Sequence, residues 1–439
     1  GYKIETTFVV GTALLLFFAG ASIILWSMVS GIFRIPSMIA SYHAQKKRRK
    51  GELALSRGMI ALGAGDADLA RRSAAEAETL LGQEPLPLLL AAQSAQLDGH
   101  RIKAERAFTT MLASSETRLL GLRGLHIEAQ RAGDLVNAIR YADEALTLSP
   151  ASLWATDALI DYFVAVNEHS QALLALERGR RGYTKAAYQR KRAVILTARG
   201  LDGELSHPQK SMDDARDAVK LAPALVPAST LYARLLIRSG ETRKAAKLLE
   251  GAWQRAPHPE LAAVYLDLRN GDTARDRFQR ARRLKALRPD HKESALVVAE
   301  AALALRDRET AQSILQTVIT DRPSVRVCLL MADSERIGDH NKGRAREWLQ
   351  RAASASPDEC WMGDGQRCET WQPLSPLTRK LDQVQWTSPP DTLHADRALR
   401  LLAHAFETID GPANESRGKA GLSAKAFLRA RDQDAESLS

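Results

Sequence analysis

Apolar residues recur along this chain with a helical period, and small residues recur with a longer one. Ala70, Ala104, Ala138 and Ala172 stand 34 residues apart, and Gly65, Gly99, Gly133 and Asn167 keep the same step five residues upstream. A fixed step of that length marks stacked helix–turn–helix units. Ala138/Ala142/Ala145, Ala245/Leu249/Ala252, Ala311/Leu315/Val318 and Ala345/Leu349/Ala352 keep offsets of 4 and 7, with Pro150, Pro257, Pro323 and Pro357 at offset 12. Ala104/Phe108/Met111, Ala274/Phe278/Ala281 and Ser211/Ala215/Ala218 follow the same rule. Offsets of 4 and 7 share one helical face. Proline then ends each second helix, because it has no donor and clashes with the preceding turn. Gly65-Asp66, Gly133-Asp134, Gly240-Glu241, Gly271-Asp272 and Gly338-Asp339 fall between the two helices of their units. There glycine takes the left-handed position that stops one helix, and the acid starts the next. About nine units are expected between Glu52 and Asp358, with a slip of register near Gly200–His207, where Leu201-Asp202-Gly203 reads as a loop insertion.

The pattern before the array differs. The 28 positions Thr6–Phe33 carry no charge and include Leu14–Phe18 and Ile23–Leu25. About 20 apolar residues span a bilayer's hydrocarbon core, so a transmembrane helix is predicted here. It is too long for a signal peptide, and its basic cluster follows instead of preceding it. Arg34, Lys46, Lys47, Arg48, Arg49 and Lys50 lie on its C-terminal side, against Lys3 alone on the other. The positive-inside rule therefore predicts a cytoplasmic array, with those six residues at the membrane surface.

The expected fold class is all-α: one transmembrane helix followed by a tetratricopeptide-repeat α-solenoid. Residues 1–5 form a short extracytoplasmic end, 6–33 the span, 34–51 a basic juxtamembrane segment and 52–358 the array. A Trp-rich module follows at 359–386, then a partly disordered tail at 387–439 with short helices expected at Ala395–Phe406 and Ser423–Arg431. Low aromatic content, 5%, fits close-packed helices better than sheets. The net charge is +10, and the six juxtamembrane residues supply most of it, leaving +4 elsewhere. That distribution argues against a nucleic-acid partner. Three cysteines make no disulfide framework.

From Cys360 to Trp386 the text resembles the C-terminal zinc ribbon of the LapB-like membrane-anchored repeat proteins, whose two C-x-x-C knuckles suit tetrahedral zinc. The corresponding positions here are Cys360, Gly363, Ser375 and Thr378, with Cys368 off register. Three of the four thiolates are absent, so no metal is expected. Trp361, Trp371 and Trp386 are expected to pack a metal-free module onto the last repeat.

Gly1-Tyr2, Ile4-Glu5-Thr6 entering the apolar run, the basic stretch, the repeats and the Trp-rich end together resemble the HemY N-terminal family. Leu329–Glu335, Gly338-Asp339 and Arg346-Glu347-Trp348-Leu349 add to the match. The resemblance implies an inner-membrane tetratricopeptide protein of Gram-negative bacteria linked to late haem synthesis. It also implies a further span ahead of Gly1. An unrelated flavin enzyme shares the family's name, and the missing G-x-G-x-x-G turn excludes it.

No catalytic, metal-binding or cofactor-binding constellation is present. The ten histidines are dispersed, and none belongs to H-E-x-x-H. His126 or His404 as an axial haem ligand lacks a second ligand or a Cys-Pro motif. Two basic runs are the candidate anionic-partner patch. One holds Arg178, Arg180, Arg181, Lys185, Arg190, Lys191 and Arg192, and the other holds Arg275, Arg277, Arg280, Arg282 and Arg283. Guanidinium forks suit carboxylates and phosphates. A pair of solvated helix faces explains the same runs.

The expected function is a non-enzymatic, inner-membrane scaffold for protein partners, with late haem-pathway enzymes foremost and membrane lipid alongside. An envelope-biogenesis adaptor for lipopolysaccharide assembly, and a haem or porphyrin carrier using the basic groove, are the alternatives.

Overall fold

The computed structural model describes residues 8–82, 84–319, 322–337 and 342–390, and the side chains of 8–10 and 27–41 lie outside that description. The turn at Gly338-Asp339 and the helices expected at Ala395–Phe406 and Ser423–Arg431 fall outside it too.

Helices form where the small-residue periodicity predicts them. In chain order they are α1 (Phe8–Ala64), α2 (Ala67–Leu81), α3 (Pro85–Leu97), α4 (Arg101–Met111), α5 (Arg118–Arg131) and α6 (Leu135–Leu148). Next come α7 (Leu153–Ala165), α8 (His169–Arg178), α9 (Lys185–Asp202), α10 (Pro208–Leu221), α11 (Val226–Arg238) and α12 (Thr242–Arg255). The last are α13 (Pro259–Leu266), α14 (Ala274–Leu287), α15 (Lys292–Ala304), α16 (Arg308–Gln316), α17 (Val325–Arg336) and α18 (Lys342–Ala353). The end of α1 pairs with α2, and in sequence α3 pairs with α4, α5 with α6, α9 with α10, α11 with α12, α13 with α14, α15 with α16 and α17 with α18. The array is a tetratricopeptide-type helical solenoid. Its contacts divide the chain into two units, Gly1–Ala158 and Leu159–Ser439.

The repeating alanines are the contact points of each hairpin. Ala70, Ala104, Ala138, Ala172, Ala245, Ala311 and Ala345 are all at most 1% exposed. A methyl at each of these positions lets two backbones approach, as interior packing density demands. Glycine does the same in α5, where a Cβ on Gly124 would lie 2.2 Å from Phe108 of α4. In the second unit Trp253 of α12 is fully buried and donates from Nε1 to the Leu284 carbonyl of α14 at 3.0 Å.

The turns follow the expected chemistry with two variations. Gly65, Gly133, Gly240 and Gly271 have φ of 78°, 74°, 80° and 88°, and Asn167 and Arg306 take the same left-handed position at 62° and 59°. Asp66 and Asp134 cap the next helix by accepting from Leu69 N–H at 2.9 Å and Asn137 N–H at 3.1 Å. Glu241 makes no such side-chain cap, and Asp272 pairs with Arg280 while Thr273 and Asp276 form a capping box.

Two expectations differ from the structure. Leu201 and Asp202 are not a loop insertion: α9 continues through them, because Asp202 meets His169 Nε2 at 2.6 Å and Gly200 admits Leu231 closely. The basic segment and the start of the array share one helix, α1, whose buried positions include Gly51, Ala54 and Ala61. The chain is not wholly helical: β1 (Cys360–Gly363), β2 (Gln366–Cys368) and β3 (Gln385–Thr387) form an antiparallel sheet in the order β2-β1-β3.

The expected span Thr6–Phe33 lies partly outside the described residues. Among those described, no helix is long and apolar enough to cross a membrane. Within Gly11–Trp26, Leu15, Leu16, Phe17, Phe18, Ile23, Ile24, Leu25 and Trp26 are each 64–76% exposed.

Candidate functional site

The small sheet belongs to a module that lies along the first helices of the second unit's repeats. Its path begins where the chain leaves α18. Ser356 forms a parallel bridge with Ser324, and its carbonyl accepts from Val325 N–H at 3.1 Å. Asp358 then accepts from Arg326 N–H at 2.6 Å. The Arg326 side chain reaches Glu293 and Glu300 of α15 at 2.9 and 2.7 Å. Burial works against that guanidinium's charge, but Glu300 and Glu293 outweigh it and hold its pKa above the ordinary value. Glu293's own pKa is raised by burial.

Further along, the module grips α13. His258, the residue before α13, is 3% exposed and packs between Trp361 and Trp386, at ring-centroid distances of 5.2 and 4.1 Å. Its Nδ1 accepts from Glu260 N–H at 3.2 Å, which assigns the ring proton to Nε2. Nε2 has no hydrogen-bond partner and faces aromatic surroundings. Burial pushes the pKa of His258 down to about 4. Trp361 Nε1 donates to Glu260 at 2.6 Å, and Trp386 Nε1 to Glu359 at 3.1 Å. Burial raises the pKa of Glu260, opposed by the Trp361 bond.

The far end of the module reaches α9 and α7. Arg190 donates from Nε and Nη2 to both oxygens of Asp382, each at 2.8 Å. Leu381 N–H donates to Asp161 of α7 at 2.9 Å, and Lys380 Nζ stands 3.9 Å from the same carboxylate. A segment of about thirty residues thus touches repeats from α7 to α17, all through first helices. The Trp-rich module was expected on the last repeat. It meets α17 through Ser356 and Asp358 and also runs back along the array to His258, Arg190 and Asp161.

The degenerate knuckle positions do come together. A Cβ on Gly363 would lie 2.9 Å from Pro376, 3.0 Å from Val384 and 3.7 Å from Ser375. Ser375 and Thr378 hydroxyls share a hydrogen bond of 2.8 Å. Asp364 accepts from the Leu377 and Thr378 amides and the Thr378 hydroxyl at 2.8–2.9 Å. The Thr378 amide chiefly holds the Asp364 carboxyl down at about 2. One carboxylate therefore ties the two loops that a metal ties in a zinc ribbon. Among the described residues no group of three or more His, Cys, Asp or Glu could hold a metal.

The basic runs are not one free patch. Arg190 is committed to Asp382. Arg178 ends α8, while Arg180 pairs with Glu177 at 3.6 Å and lies over the Tyr188 ring. Lys191 lies over the Tyr183 ring, and Arg192 bears on the Glu177–Tyr188 pair. Arg181 is exposed between α8 and α9, and Lys185 is exposed at the start of α9. On α14, Arg277 pairs with Asp267, Arg280 with Asp272 and Arg283 with Glu250, while Arg275 and Arg282 point outward. Lys46–Lys50 are exposed on α1, with Arg48 3.3 Å from Glu52, and the Arg34 side chain lies outside the described residues.

Two cavities bear on a ligand. One of about 240 Å³ lies among His291, Glu293, Arg326, Asp358 and Trp386. That is below the roughly 300 Å³ at which small-molecule clefts begin, and its charges are of both signs. In the first unit, a groove of about 380 Å³ has an alanine floor between α2, α3 and α4 and a rim that includes Arg71, Asp98 and Arg106.

The fold and this docked module define a repeat scaffold of the tetratricopeptide class. Residues 1–99 match the model of the HemY protein N-terminus family. The chain is similar to the Probable magnetosome protein Mms48 of Magnetospirillum gryphiswaldense, at 25% identity over 392 residues, covering 86% of this chain and 84% of that relative. Among solved structures, it resembles Naa15/Naa10 bound to HypK-THB, at 14% identity and TM-score 0.41 over 72% of this chain. The chain spans about half of that protein's length, 54%. It also resembles MamA, at 18% identity and TM-score 0.28 over 38% of this chain and 89% of that one. These structural likenesses are too distant to carry an argument, and the fold assignment rests on the hairpins themselves.

Proposed function

We propose that this protein is a membrane-anchored repeat scaffold that gathers late haem-pathway enzymes at the bacterial inner membrane, its array on the cytoplasmic side. It acts by raising the local concentration of its partners, not by making bonds. The observation that carries the reading is α1. One helix joins a run of outward-facing apolar side chains, Gly11–Trp26, to exposed Lys46–Lys50 and then to the first repeat. Among the described residues the large apolar side chains of this run stay exposed, and lipid is the solvent that suits them. The HemY N-terminus match supports the haem link.

The test is cross-linking in native membranes followed by mass spectrometry, with alkaline extraction of the same membranes. The protein should stay in the extracted pellet and cross-link to late haem enzymes. Release into the supernatant would remove the anchor. Recovery of lipopolysaccharide-assembly proteins alone would favour an envelope adaptor. The relative named a magnetosome protein supports a second reading, a scaffold for a different assembly built on the same array; in that case haem enzymes would be absent from the cross-links. A carrier role predicts a Soret shift when porphyrin is added. The commitment of Arg190 to Asp382 removes one of the basic groups such a carrier would use.

A further inference from the structure

The first-helix face of the second unit is already occupied by the chain itself. The occupant has little that could hold it together alone. Its strands are four, three and three residues long, and its cysteines are free thiols. Polypeptides below about 40 residues need a disulfide, a metal or a partner to fold. Gly363, Ser375 and Thr378 stand where zinc thiolates would, and the tie that replaces them is one exposed carboxylate, Asp364. The loop that reaches α9 includes two non-glycine residues in the left-handed region, Arg379 at φ 53° and Asp382 at φ 61°. Such backbone persists where surrounding contacts impose it. Those contacts are the Arg190 fork on Asp382 and the Asp161 carboxylate on the Leu381 amide.

We propose that residues 357–387 are a removable occupant of this face, folded only while docked, so that a partner using the face must displace them as unfolded chain. This differs from a true zinc ribbon, which metal would keep folded in both positions. The docked state buries His258 and engages Arg190 and Glu260, which offer an aromatic-binding imidazole, a fork for carboxylates and an indole acceptor along the face. The face exposed on release suits an extended acidic segment carrying aromatic residues, the chemistry of its present occupant. The inference does not depend on the haem reading or on the membrane anchor.

Hydrogen–deuterium exchange on the full chain tests it, comparing Arg190→Glu and Trp386→Ala with the unsubstituted protein. The two substitutions strike the docked segment at separate contacts, one where Asp382 meets α9 and one where Trp386 packs on His258. Each should speed exchange by about tenfold or more over the whole of 358–387, including strands remote from the change. Peptides from α3 to α6 should not change. Arg190→Lys, which keeps the charge but not the fork, should fall between. Faster exchange confined to residues 380–387, with 358–370 unchanged, would show a module that folds on its own and would overturn the proposal. So would unchanged exchange in both variants, or a loss of protection throughout α7–α18, which would make the module part of the array's core.

Discussion

At the scale of single residues, burial decides what each group does. Gly124 is a case of space. With its would-be Cβ 2.2 Å from Phe108, Gly124→Ala must displace a packed ring between α4 and α5. Overpacking of this kind destabilises by about 1–3 kcal/mol, which a lowered midpoint in urea denaturation would register. His258 is a case of charge. Its pKa is lowered from 6.5 to about 4, so the docked state holds it neutral while the released state takes up a proton below 6.5. Docking stability is therefore full above pH 6.5 and falls as the solution is acidified. The loss reaches about 2 kcal/mol by roughly pH 5. His291, also lowered by burial, acts in the same direction. Glu260 and Glu293, raised by burial, act oppositely at lower pH. Asp364, held at about 2, has no part in this range. Tryptophan fluorescence should report the loosening between pH 7 and 5, and His258→Gln should flatten that response.

At the scale of elements, the hairpins were legible because their rules are local. Alanine at the close approach, glycine at the turn and proline at the end each act within a few residues. Capping is equally local. Asp134→Ala removes a cap on α6 and leaves the Asn137 amide without its acceptor, for a loss of about 1 kcal/mol. A thermal midpoint measured beside that of Glu241→Ala, which makes no side-chain cap, should separate the two. The failure at Leu201-Asp202 has a tertiary cause. A local reading saw turn residues, but His169 lies 33 positions upstream and holds Asp202 in the helix. The sheet was illegible for the same reason. Strands of three or four residues carry no periodicity, and β3 joins β1 across more than 20 intervening residues.

At the scale of the whole molecule, two features set the functional reading. The first is α1, which carries the exposed apolar run and the first repeat's inner helix without a break in helical structure. Replacing Leu15, Phe18 and Ile24 with lysine should move the protein from the extracted membrane pellet to the supernatant. Each central lysine adds about 2.5–3.5 kcal/mol to insertion, so retention in the pellet would argue for attachment through some other surface. The second feature is the docked module, which leaves the second unit's first-helix face closed in this state. A scaffold whose docking face is partly self-occupied can couple partner capture to release of its own chain.

The repeat architecture followed from sequence alone, because a helix pair buries its seam against its own neighbours and writes that need as a short, repeated spacing. The basic runs and the Trp-rich end were equally visible as letters, but their roles were not. Whether Arg190 meets a partner or Asp382, 192 positions away, depends on where the chain returns after eighteen helices. Likewise, nothing near His258 in the sequence announces Trp361 and Trp386. Contacts of that reach are set by the geometry accumulated over many repeats, and no local pattern of residues encodes them.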